Sequence, residues 1–521
     1  MISPDLDTFR RHARPGAVIA LHRRIFADQL TPVLAYRRMV KPDERTAPSF
    51  LFESVENGTS VGRYSMLGAR PAIELIARGH RVELFNHETG ETGDHTVDDP
   101  LSIFRELESS FELIEPPQRS VPLPDCFRGG WVGYAGYDTV RYLEPDMLPF
   151  ANAPQDDRAL ADMHFGLYRQ VVVFDHVDKL VHVIVHIFCR VDESPEAAYE
   201  RGADELASLV EQLERHDVRL PSGQIELDPT LPATAPTGGN FSQPAFEAAV
   251  RRAGEYIAAG DAFQIVLSQR FDRRTSADPF DIYRALRVVN PSPYMIYLQA
   301  TDSIMVASSP EILCRVHRGV VTSRPLAGTR RRGRTPAEDA ALEADLLGNE
   351  KERAEHIMLV DLARNDLGRV CEVGSITLGR IMDIERYSHV MHISSTVTGR
   401  LRAGLGPWDA LRVSLPVGTV SGAPKVRAMQ IIDELEPTRR GPYGGGIGAV
   451  GFDGNMDIAL ALRTMVIPHR SRDRAGAWRV DLQAGAGIVA DSQPAAEYEE
   501  TVNKAAALGR AIDLAEAAFV G

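Results

Sequence analysis

This 521-residue sequence has few cysteines and no long apolar run, the features that typify secreted and membrane-bound proteins. Its four cysteines, Cys126, Cys189, Cys314 and Cys371, are scattered and include no C-x-x-C pair. This spacing excludes a small disulfide-bonded framework and predicts a reduced, intracellular protein. No apolar run is long enough to span a bilayer, and residues 1–5 lack the apolar segment of a signal peptide. We therefore expect a cytoplasmic protein with no membrane partner.

Positive charge is also in short supply. The sequence carries 58 lysines and arginines against 72 aspartates and glutamates, which gives a net charge of −14. Because an acidic chain is repelled by a phosphate backbone, we expect no nucleic-acid partner. Lysine itself occurs only at positions 41, 179, 351, 425 and 504. The last three lie within the densest motifs of the chain.

The length and the pattern of elements predict two α+β domains. A chain of 521 residues is too long for one ordinary core. We predict an N-terminal domain at 15–216, a linker at 217–240 and a C-terminal domain at 241–521. The linker is rich in proline, glycine and threonine and lacks periodicity. Strands and helices occur in clusters and do not alternate regularly, which favours an α+β fold.

Local signals predict the bounds of several elements. Thr31 precedes a proline and is expected to cap a helix, and Ser242 is expected to cap another that runs to Ala259. Apolar periodicity predicts a helix at 99–113 and a long strand at 376–384.

Two acidic segments are predicted to be helices. Glu352 and Glu355 stand three residues apart in the first, as do Glu497 and Glu500 in the second, so each pair shares one helix face. A single E-x-x-E pair more often marks surface acids near a helix N-terminus. Residues 357–360 are all apolar, however, which predicts burial of the first helix, and carboxylates beside a buried surface need a partner or a metal. Together the two faces would supply oxygen ligands that suit Mg²⁺ better than zinc.

Four glycine-rich segments match no nucleotide-binding loop. They are residues 325–330, 416–425, 444–448 and 485–488. None is followed by the helix and downstream acid of a dinucleotide fingerprint, and no G-x-x-x-x-G-K-[ST] sequence occurs. Any one of them could be a turn or a tight packing point. Their backbone amides could also hold carboxylates, and with Tyr443 and Arg463 they would form a pocket for a small polyanion.

As a set, these motifs closely resemble the chorismate-utilising enzymes. The motifs are Glu352-x-x-Glu355-His356, Gly328-Thr329, Pro416-x-Gly418-Thr419-Val420-Ser421-Gly422-Ala423-Pro424-Lys425, Gly485-Ala486-Gly487 and Glu497-Tyr498-x-Glu500. The likeness runs from about residue 241 to residue 515. The N-terminal half, with Leu51-Phe52-Glu53-Ser54 and Gly129-Gly130-Trp131, resembles the matching domain of anthranilate synthase component I. The resemblance implies an α+β fold in which large antiparallel sheets pack as a β-sandwich flanked by helices. It also implies a regulatory N-terminal domain and a chorismate-binding catalytic C-terminal domain.

Two positions bear on which nucleophile would attack chorismate. Relatives that add water place a lysine base where this chain has Gln264, and aminodeoxychorismate synthases place a lysine where it has Ala327. An alanine supplies no amine nucleophile. Both departures favour anthranilate synthase, which forms anthranilate and pyruvate from chorismate and ammonia. The alternatives are 4-amino-4-deoxychorismate synthase component I and a catalytically silent, tryptophan-binding regulatory subunit.

The resemblance also implies roles for individual residues. Glu355 and Glu500 would bind Mg²⁺, with Glu352 and Glu497 as close second partners. The implied substrate-binding residues are Gly328, Thr329, Tyr443, Arg463, Gly485, Ala486 and Gly487. The implied catalytic residues are His392, Glu355, Gln264, Thr419 and Lys504. His392 would assist the steps that end in pyruvate elimination, although a lone histidine on a strand is more often structural.

Regulation and a partner subunit are further expectations from the resemblance. The implied site for tryptophan, as a feedback inhibitor, consists of Glu53, Ser54, Pro293, Tyr294 and Met295. Without the resemblance, these residues would be interpreted as a core strand with a polar end and a helix terminator. No cysteine lies in a glycine-flanked nucleophile turn, so the chain contains no glutaminase. We expect a separate glutamine amidotransferase subunit (anthranilate synthase component II) in a hetero-oligomer.

Overall fold

The computed structural model describes residues 1–42, 44, 47–56, 60–116, 121–225, 233–236, 238–387 and 390–519. Part of the predicted linker, at 226–232 and 237, lies outside these residues. The helices are α1 Leu6–His12, α2 Pro32–Met39, α3 Leu101–Glu108, α4 Val140–Leu143, α5 Pro195–Glu214, α6 Gln243–Ala258, α7 Pro279–Val289, α8 Pro336–Gly348, α9 Glu350–Gly368, α10 Pro407–Ser414, α11 Gly418–Ser421, α12 Lys425–Leu435 and α13 Pro494–Phe519.

A 13-stranded sheet, the first sheet, runs through the whole molecule. Its strands in chain order are β1 Ala17–Phe26, β2 Ser49–Glu53, β5 Tyr64–Ala69, β9 Glu112–Leu113, β12 Gln170–Asp175, β13 Leu180–Phe188, β14 Gly238–Gly239, β15 Gln264–Thr275, β16 Tyr294–Gln299, β17 Ser303–Ser309, β25 Gly422–Ala423, β28 Thr464–Pro468 and β29 Trp478–Ile488. Their spatial order is β14-β15-β29-β28-β17-β16-β2-β5-β12-β13-β1-β9, with β25 beside β15. All pairs are antiparallel except β1 with β9.

A second sheet has 11 antiparallel strands. In chain order they are β6 Ile73–Arg78, β7 Arg81–Asn86, β8 Thr92–Thr96, β10 Gly130–Ala135, β11 Met163–Tyr168, β18 Ile312–His317, β19 Val320–Ser323, β21 Thr377–Leu378, β24 Val397–Arg400, β26 Gly446–Gly451 and β27 Met456–Leu460. Their spatial order is β21-β24-β19-β18-β27-β26-β10-β11-β6-β7-β8. A small sheet joins β20 Leu326–Arg331, β23 Val390–Ser394 and β22 Asp383–Arg386, and β3 Val55–Glu56 pairs with β4 Ser60–Val61.

The two large sheets pack face to face. Their facing sides share one apolar cluster, with Phe50 and Ile296 from the first sheet and Val132 and Ala449 from the second. The outer side of the first sheet packs against α2, α5, α7 and α13, and that of the second against α3, α9 and α10. The predicted α+β fold, with antiparallel sheets in a sandwich flanked by helices, is confirmed.

Strands from both halves of the chain pair directly in both sheets. In the first sheet Met295 lies opposite Glu53, and in the second Gly446 lies opposite Ala135. The sheets therefore continue across the predicted division at 15–216, 217–240 and 241–521, which itself stays a prediction. None of the helices in the described part of the chain has the length and apolar character that a membrane crossing needs.

Capping signals located helix starts well. Thr31 accepts a hydrogen bond from the amide of Leu34 at the start of α2, and Ser242 caps α6 in the same way. Periodicity was less reliable at sheet edges and helix ends. Of the helix predicted at 99–113, only the residues of α3 are helical. In place of the long strand predicted at 376–384, the structure has two short strands, β21 and β22. Both β21 and β22 lie at the edges of their sheets, where a strand has a neighbour on one side only, and helix ends such as those of α3 fray.

Candidate active site

A cavity of about 1030 Å³ lies between the first sheet, the small sheet, α9 and α13. Strands β15 and β29 provide its floor, and the two acidic helices stand at its sides. The predicted site residues that line it are Gln264, Gly328, Thr329, Glu352, Glu355, His392, Thr419, Tyr443, Arg463, Gly485, Gly487, Glu497, Glu500 and Lys504. The fold therefore collects side chains from segments more than 200 residues apart into one space.

The first acidic helix begins as its sequence predicts. Asn349 caps α9 by accepting a hydrogen bond from the amide of Glu352, and Glu352 and Glu355 share the face that lines the cavity. The expected burial of residues 357–360 is wrong in part, because the side chain of Ile357 is 53% exposed. Leu359, on the cavity face, is buried. A run of four apolar residues covers more than a full helical turn, so at least one of them leaves the buried face.

Two basic side chains neutralise part of the negative charge of the glutamates on α9 and α13. Arg330 donates to Glu352 at 3.0 Å, and Lys504 lies 2.7 Å from Glu500. Lys504 also donates to the carbonyl of Gly485 on β29, at 2.9 Å, which ties α13 to the cavity floor. Burial raises the pKa of Glu497, and the negative charge of Glu500 raises it further. The two acids on α13 therefore lie close enough to repel each other.

The acidic residues suit a hard cation in their chemistry. Glu352, Glu355, Glu497 and Glu500 offer only carboxylate oxygens, the donors that Mg²⁺ prefers. Across the described ranges, no three histidine, cysteine, aspartate or glutamate side chains are assembled tightly enough to hold an ion. The carboxylates instead lie on two separate helices, with part of their charge left without a protein cation. The donor set fits Mg²⁺, and its use as a metal site stays a prediction.

Gln264 contacts the acidic end of the cavity directly. Its Nε2 donates to Oε1 of Glu355 at 2.7 Å, while its Oε1 is buried without a hydrogen-bond partner among the described residues. A Cβ at Gly487 would come within 2.8 Å of the same Nε2. The second glycine of the G-A-G motif therefore makes room for this amide.

His392 is held in one tautomer by the small sheet. Its Nδ1 lies 2.9 Å from the carbonyl oxygen of Gly328, and this acceptor requires the proton to be on Nδ1. Gly328 forms a bulge with φ +63°, and a Cβ there would approach Glu352 to 3.1 Å. Burial lowers the pKa of His392 to about 4. The imidazole is therefore neutral near pH 7, with Nε2 available to accept a proton.

Glu311 is a cavity residue that sequence reasoning missed. Its carboxyl is buried and accepts a hydrogen bond from Oγ1 of Thr419 at 3.2 Å. Burial raises its pKa to about 8, although the Thr419 hydroxyl and the amide of Leu326 act in the opposite direction. The available signal was an acid directly after a proline at the end of a buried strand, in Ser308-Ser309-Pro310-Glu311. Glu311 is a carboxyl that keeps its proton at neutral pH.

Tyr443 and Arg463 line the cavity as expected. A Cβ at Gly485 would lie 2.8 Å from the hydroxyl of Tyr443, so the first glycine of the G-A-G motif makes room for this group. Burial lowers the pKa of the Arg463 guanidinium. No carboxylate of the described residues pairs with this guanidinium, which leaves it available to an anion in the cavity.

Ala486 is the predicted substrate-binding residue that the structure does not bring to the cavity. Its side chain lies in the apolar cluster on the other side of β29, with Ile265 and Ile488. Side chains alternate along a strand, so Gly485 and Gly487 face the cavity while Ala486 faces the core.

The residues implied in tryptophan binding occupy two different surroundings. Glu53 lies opposite Met295 on neighbouring strands, and its carboxylate is engaged by Tyr283 at 2.6 Å and by Arg287 at 2.8 Å. Tyr294 points to the opposite side and donates to Asp457 at 2.8 Å. Ser54 and Pro293 are half-buried at the ends of these strands. The inhibitor site stays a prediction.

A family comparison agrees with this geometry. The profile described as chorismate binding enzyme matches residues 49–510. The chain belongs to the chorismate-binding enzymes.

Individual relatives of this chorismate-binding enzyme are more specific. Anthranilate synthase alpha subunit 1, chloroplastic, from Oryza sativa subsp. indica is 54% identical over 98% of this chain and 91% of its own length. Anthranilate synthase component 1 from Acetivibrio thermocellus is 42% identical over 98% and 99%. This chorismate-binding enzyme is therefore a lyase of the anthranilate synthase component I group, with a chorismate-utilising role in tryptophan biosynthesis.

Solved structures agree with this placement. Anthranilate synthase component I from Streptococcus pneumoniae TIGR4 has a TM-score of 0.70 and 38% identity, over 86% of this chain and 92% of its own. The menaquinone-specific isochorismate synthase MenF from Escherichia coli has a TM-score of 0.68 at 18% identity, over 97% and 98%, and shares the fold.

Proposed function

We propose that this chorismate-binding enzyme converts chorismate and ammonia to anthranilate, pyruvate and water, with Mg²⁺ bound at the glutamates of α9 and α13. The observation that carries the proposal is that negatively and positively charged side chains line the same cavity. Glutamates on two helices line one part, and the unpaired guanidinium of Arg463 lines the same space. A ligand with two carboxylates fits this arrangement, since one can reach a bound cation and the other the arginine.

The metal proposal rests on the donor set. Glu355 and Glu500 are the proposed ligands, with Glu352 and Glu497 beside them. Bound there, Mg²⁺ would hold one substrate carboxylate and withdraw electron density from the ring. Arg463 and the hydroxyl of Tyr443 would orient the other carboxylate.

The side chains around Gln264 suit ammonia as the nucleophile. Gln264 is neutral and has no basic group with which to deprotonate water. Its unpartnered Oε1 is an acceptor for an N–H of ammonia, beside the acidic end of the cavity. Amination at ring carbon C2 is accompanied by loss of the C4 hydroxyl, and that hydroxyl needs a proton to leave as water. Glu311, with its proton retained near neutral pH, is the proposed donor.

His392 is the proposed base for the later elimination. Its neutral ring donates from Nδ1 to Gly328 and leaves Nε2 free to accept a ring proton as pyruvate departs. The role of Lys504 would be to hold the Glu500 carboxylate and the carbonyl of Gly485 on β29 in place.

A partner subunit and feedback control belong to the same proposal. We expect ammonia to be delivered by a separate glutamine amidotransferase subunit, because the name component I implies a second component. We expect tryptophan to bind beside Glu53 and Met295 and to displace the Arg287 guanidinium from Glu53.

The test is anthranilate fluorescence from the purified chain with chorismate, Mg²⁺ and ammonium at mildly alkaline pH. Signal that disappears with EDTA and in Glu355→Gln, but persists in Glu350→Gln, would support the reaction and the metal site. Glu350 is a matched control because it is exposed on the same helix and does not line the cavity. Chorismate consumed without anthranilate would overturn the proposal in favour of aminodeoxychorismate or isochorismate formation. No consumption, with tryptophan still bound, would favour a regulatory subunit.

A further inference from the structure

The face of α13 that lines the cavity continues well past the residues assigned to the reaction. Glu500, Lys504, Ala507 and Arg510 follow one another at intervals of four, three and three, so they share one helix face, and all four line the cavity. Arg510 lies ten residues beyond Glu500, or roughly 15 Å along the helix axis.

Arg510 carries a positive charge that no carboxylate in the described part of the chain neutralises. Its Nε is buried and donates to no acceptor among the described residues, and none of their carboxylates forms an ion pair with its guanidinium. Lys504 differs, because it is neutralised by Glu500. Between the two cations stands Ala507, whose small side chain leaves space above the helix.

The segment after α7 contributes to the same cavity. The helix α7 packs against α13, and Asn290 and Pro291, which follow α7, line the same cavity. The carbonyl of Asn290 is fixed by the hydroxyl of Ser308, whose amide in turn donates to the carbonyl of Arg463. These bonds connect Asn290 to the backbone of Arg463 through Ser308, whereas Arg510 lies on α13 beyond the proposed glutamate ligands.

The size of the cavity leaves room for a second anion. Roughly 300–1,000 Å³ suffices for a drug-sized ligand, and this cavity measures about 1030 Å³. A guanidinium with no carboxylate partner is a receptor for a planar carboxylate, which it can bind through two hydrogen bonds.

We propose that Arg510 forms a second carboxylate-binding position in the cavity, on the face of α13 beyond Lys504, and that this position takes the small α-keto acid after its elimination and before its release. The assignment rests on the proposed function, because the keto acid is a product of that reaction. Its carboxylate leaves the reacting position with a negative charge, and the nearest unpaired cation along the α13 face is Arg510. The reacting position is then free of product before the next substrate arrives.

The test measures pyruvate binding without turnover. Saturation-transfer NMR on the pyruvate methyl group, with the full chain in EDTA and no chorismate, gives a Kd in which the glutamates cannot take part through a metal. We expect Arg510→Gln to weaken this binding about tenfold, the effect of removing a charge-assisted hydrogen-bond pair. We expect Arg510→Lys to recover part of the loss. Arg251→Gln, which removes an exposed arginine of α6 that does not line the cavity, is the matched control.

Two further measurements distinguish a position for the keto acid from a position for a substrate carboxylate. If Arg510→Gln raises the KM for chorismate by as much as it weakens pyruvate binding, the position holds a substrate carboxylate and the assignment to the keto acid is overturned. If only Arg463→Gln weakens pyruvate binding, Arg510 is not a receptor and the site is overturned. Absence of anthranilate formation by the wild-type chain would overturn the proposed function alone, since pyruvate binding is measured independently.

Discussion

Nε2 of Gln264 lies 2.7 Å from Oε1 of Glu355, so an amide from the floor of the cavity holds a carboxylate of the acidic helix α9. The two residues are 91 positions apart in the chain. Each is ordinary in its own element, a glutamine at the start of a strand and a glutamate in the first turns of a helix. Their contact is what gives the acidic end of the cavity a fixed carboxylate orientation.

The first prediction concerns this hydrogen bond. Gln264→Leu removes the donor to Glu355 and the free acceptor Oε1, and we expect kcat/KM with ammonium as substrate to fall at least about tenfold. Steady-state anthranilate fluorescence provides the measurement. Gln243→Leu is the matched control, since Gln243 donates to Glu247 at 2.9 Å on the exposed face of α6. A Gln264→Leu enzyme as active as this control would contradict the proposed role of the amide.

The second prediction concerns the pH dependence set by Glu311. Burial raises its pKa to about 8, and the Thr419 hydroxyl stabilises its ionised form. If the protonated form is required, activity falls as pH rises through about 8. Thr419→Val removes the donor and is expected to shift this alkaline limb upward by about one pH unit. Thr419→Ser retains the hydroxyl and is expected to leave the limb near its wild-type position. A limb that stays in place in Thr419→Val would show that another group titrates.

The third prediction concerns the acids of α13. Glu500→Gln removes one negative charge and one proposed ligand, so we expect Mn²⁺, used as a spectroscopic probe, to bind at least about tenfold more weakly. Electron paramagnetic resonance of free Mn²⁺ measures this without turnover. Its neighbour Glu499 is exposed and does not line the cavity, and Glu499→Gln serves as the control. Equal Mn²⁺ affinities in the two variants would remove Glu500 from the metal site.

The fourth prediction concerns His356, which follows Glu355 on α9. Its ring is fully buried, and its Nε2 lies 2.6 Å from Oγ of Ser395, which also accepts from the amide of Met382. This contact ties α9 to the small sheet that carries His392. Burial lowers the pKa of His356 to about 4, below its ordinary value of 6.5.

The sign of the effect follows from the two pKa values. Between pH 6.5 and 4 the unfolded chain binds a proton at this residue and the folded chain does not, so stability falls as pH falls, by up to about 3 kcal/mol from this group. We expect His356→Gln to show a smaller drop in thermal midpoint between pH 7 and pH 5 than the wild type. His95→Gln, at an exposed position on β8, is expected to keep the wild-type drop. Identical drops in all three proteins would contradict the assignment.

Much of the candidate site was visible in the sequence because its signals are local. The spacing of Glu352 and Glu355 places both on one helix face, and the same holds for Glu497 and Glu500. The two glycines of the G-A-G motif are also accounted for, since a Cβ at Gly485 or Gly487 would meet Tyr443 or Gln264. The side chain of Ala486 faces the core because a strand sends alternate side chains to opposite sides, and its role in substrate binding stays a prediction.

Other features had no local signal. Glu311 has a raised pKa because of burial, which depends on the elements that cover it. Arg510 looks like any other arginine in the sequence, and only the packed structure shows that it and Arg463 line one cavity without a carboxylate partner among the described residues. The pairing of β2 with β16 joins the two halves of the chain, and no pattern within either half predicts that register.

The sequence by itself determined the helix faces, the caps, the α+β class and the motifs by which the chain resembles chorismate-utilising enzymes. These depend on residues within a few positions of one another, where backbone geometry converts spacing into direction. Only the tertiary structure decided which faces meet, which carboxyls lose water and which cations stay unpaired. Those outcomes depend on burial and on contacts between residues hundreds of positions apart, since the free energy of a charged group is set by what surrounds it.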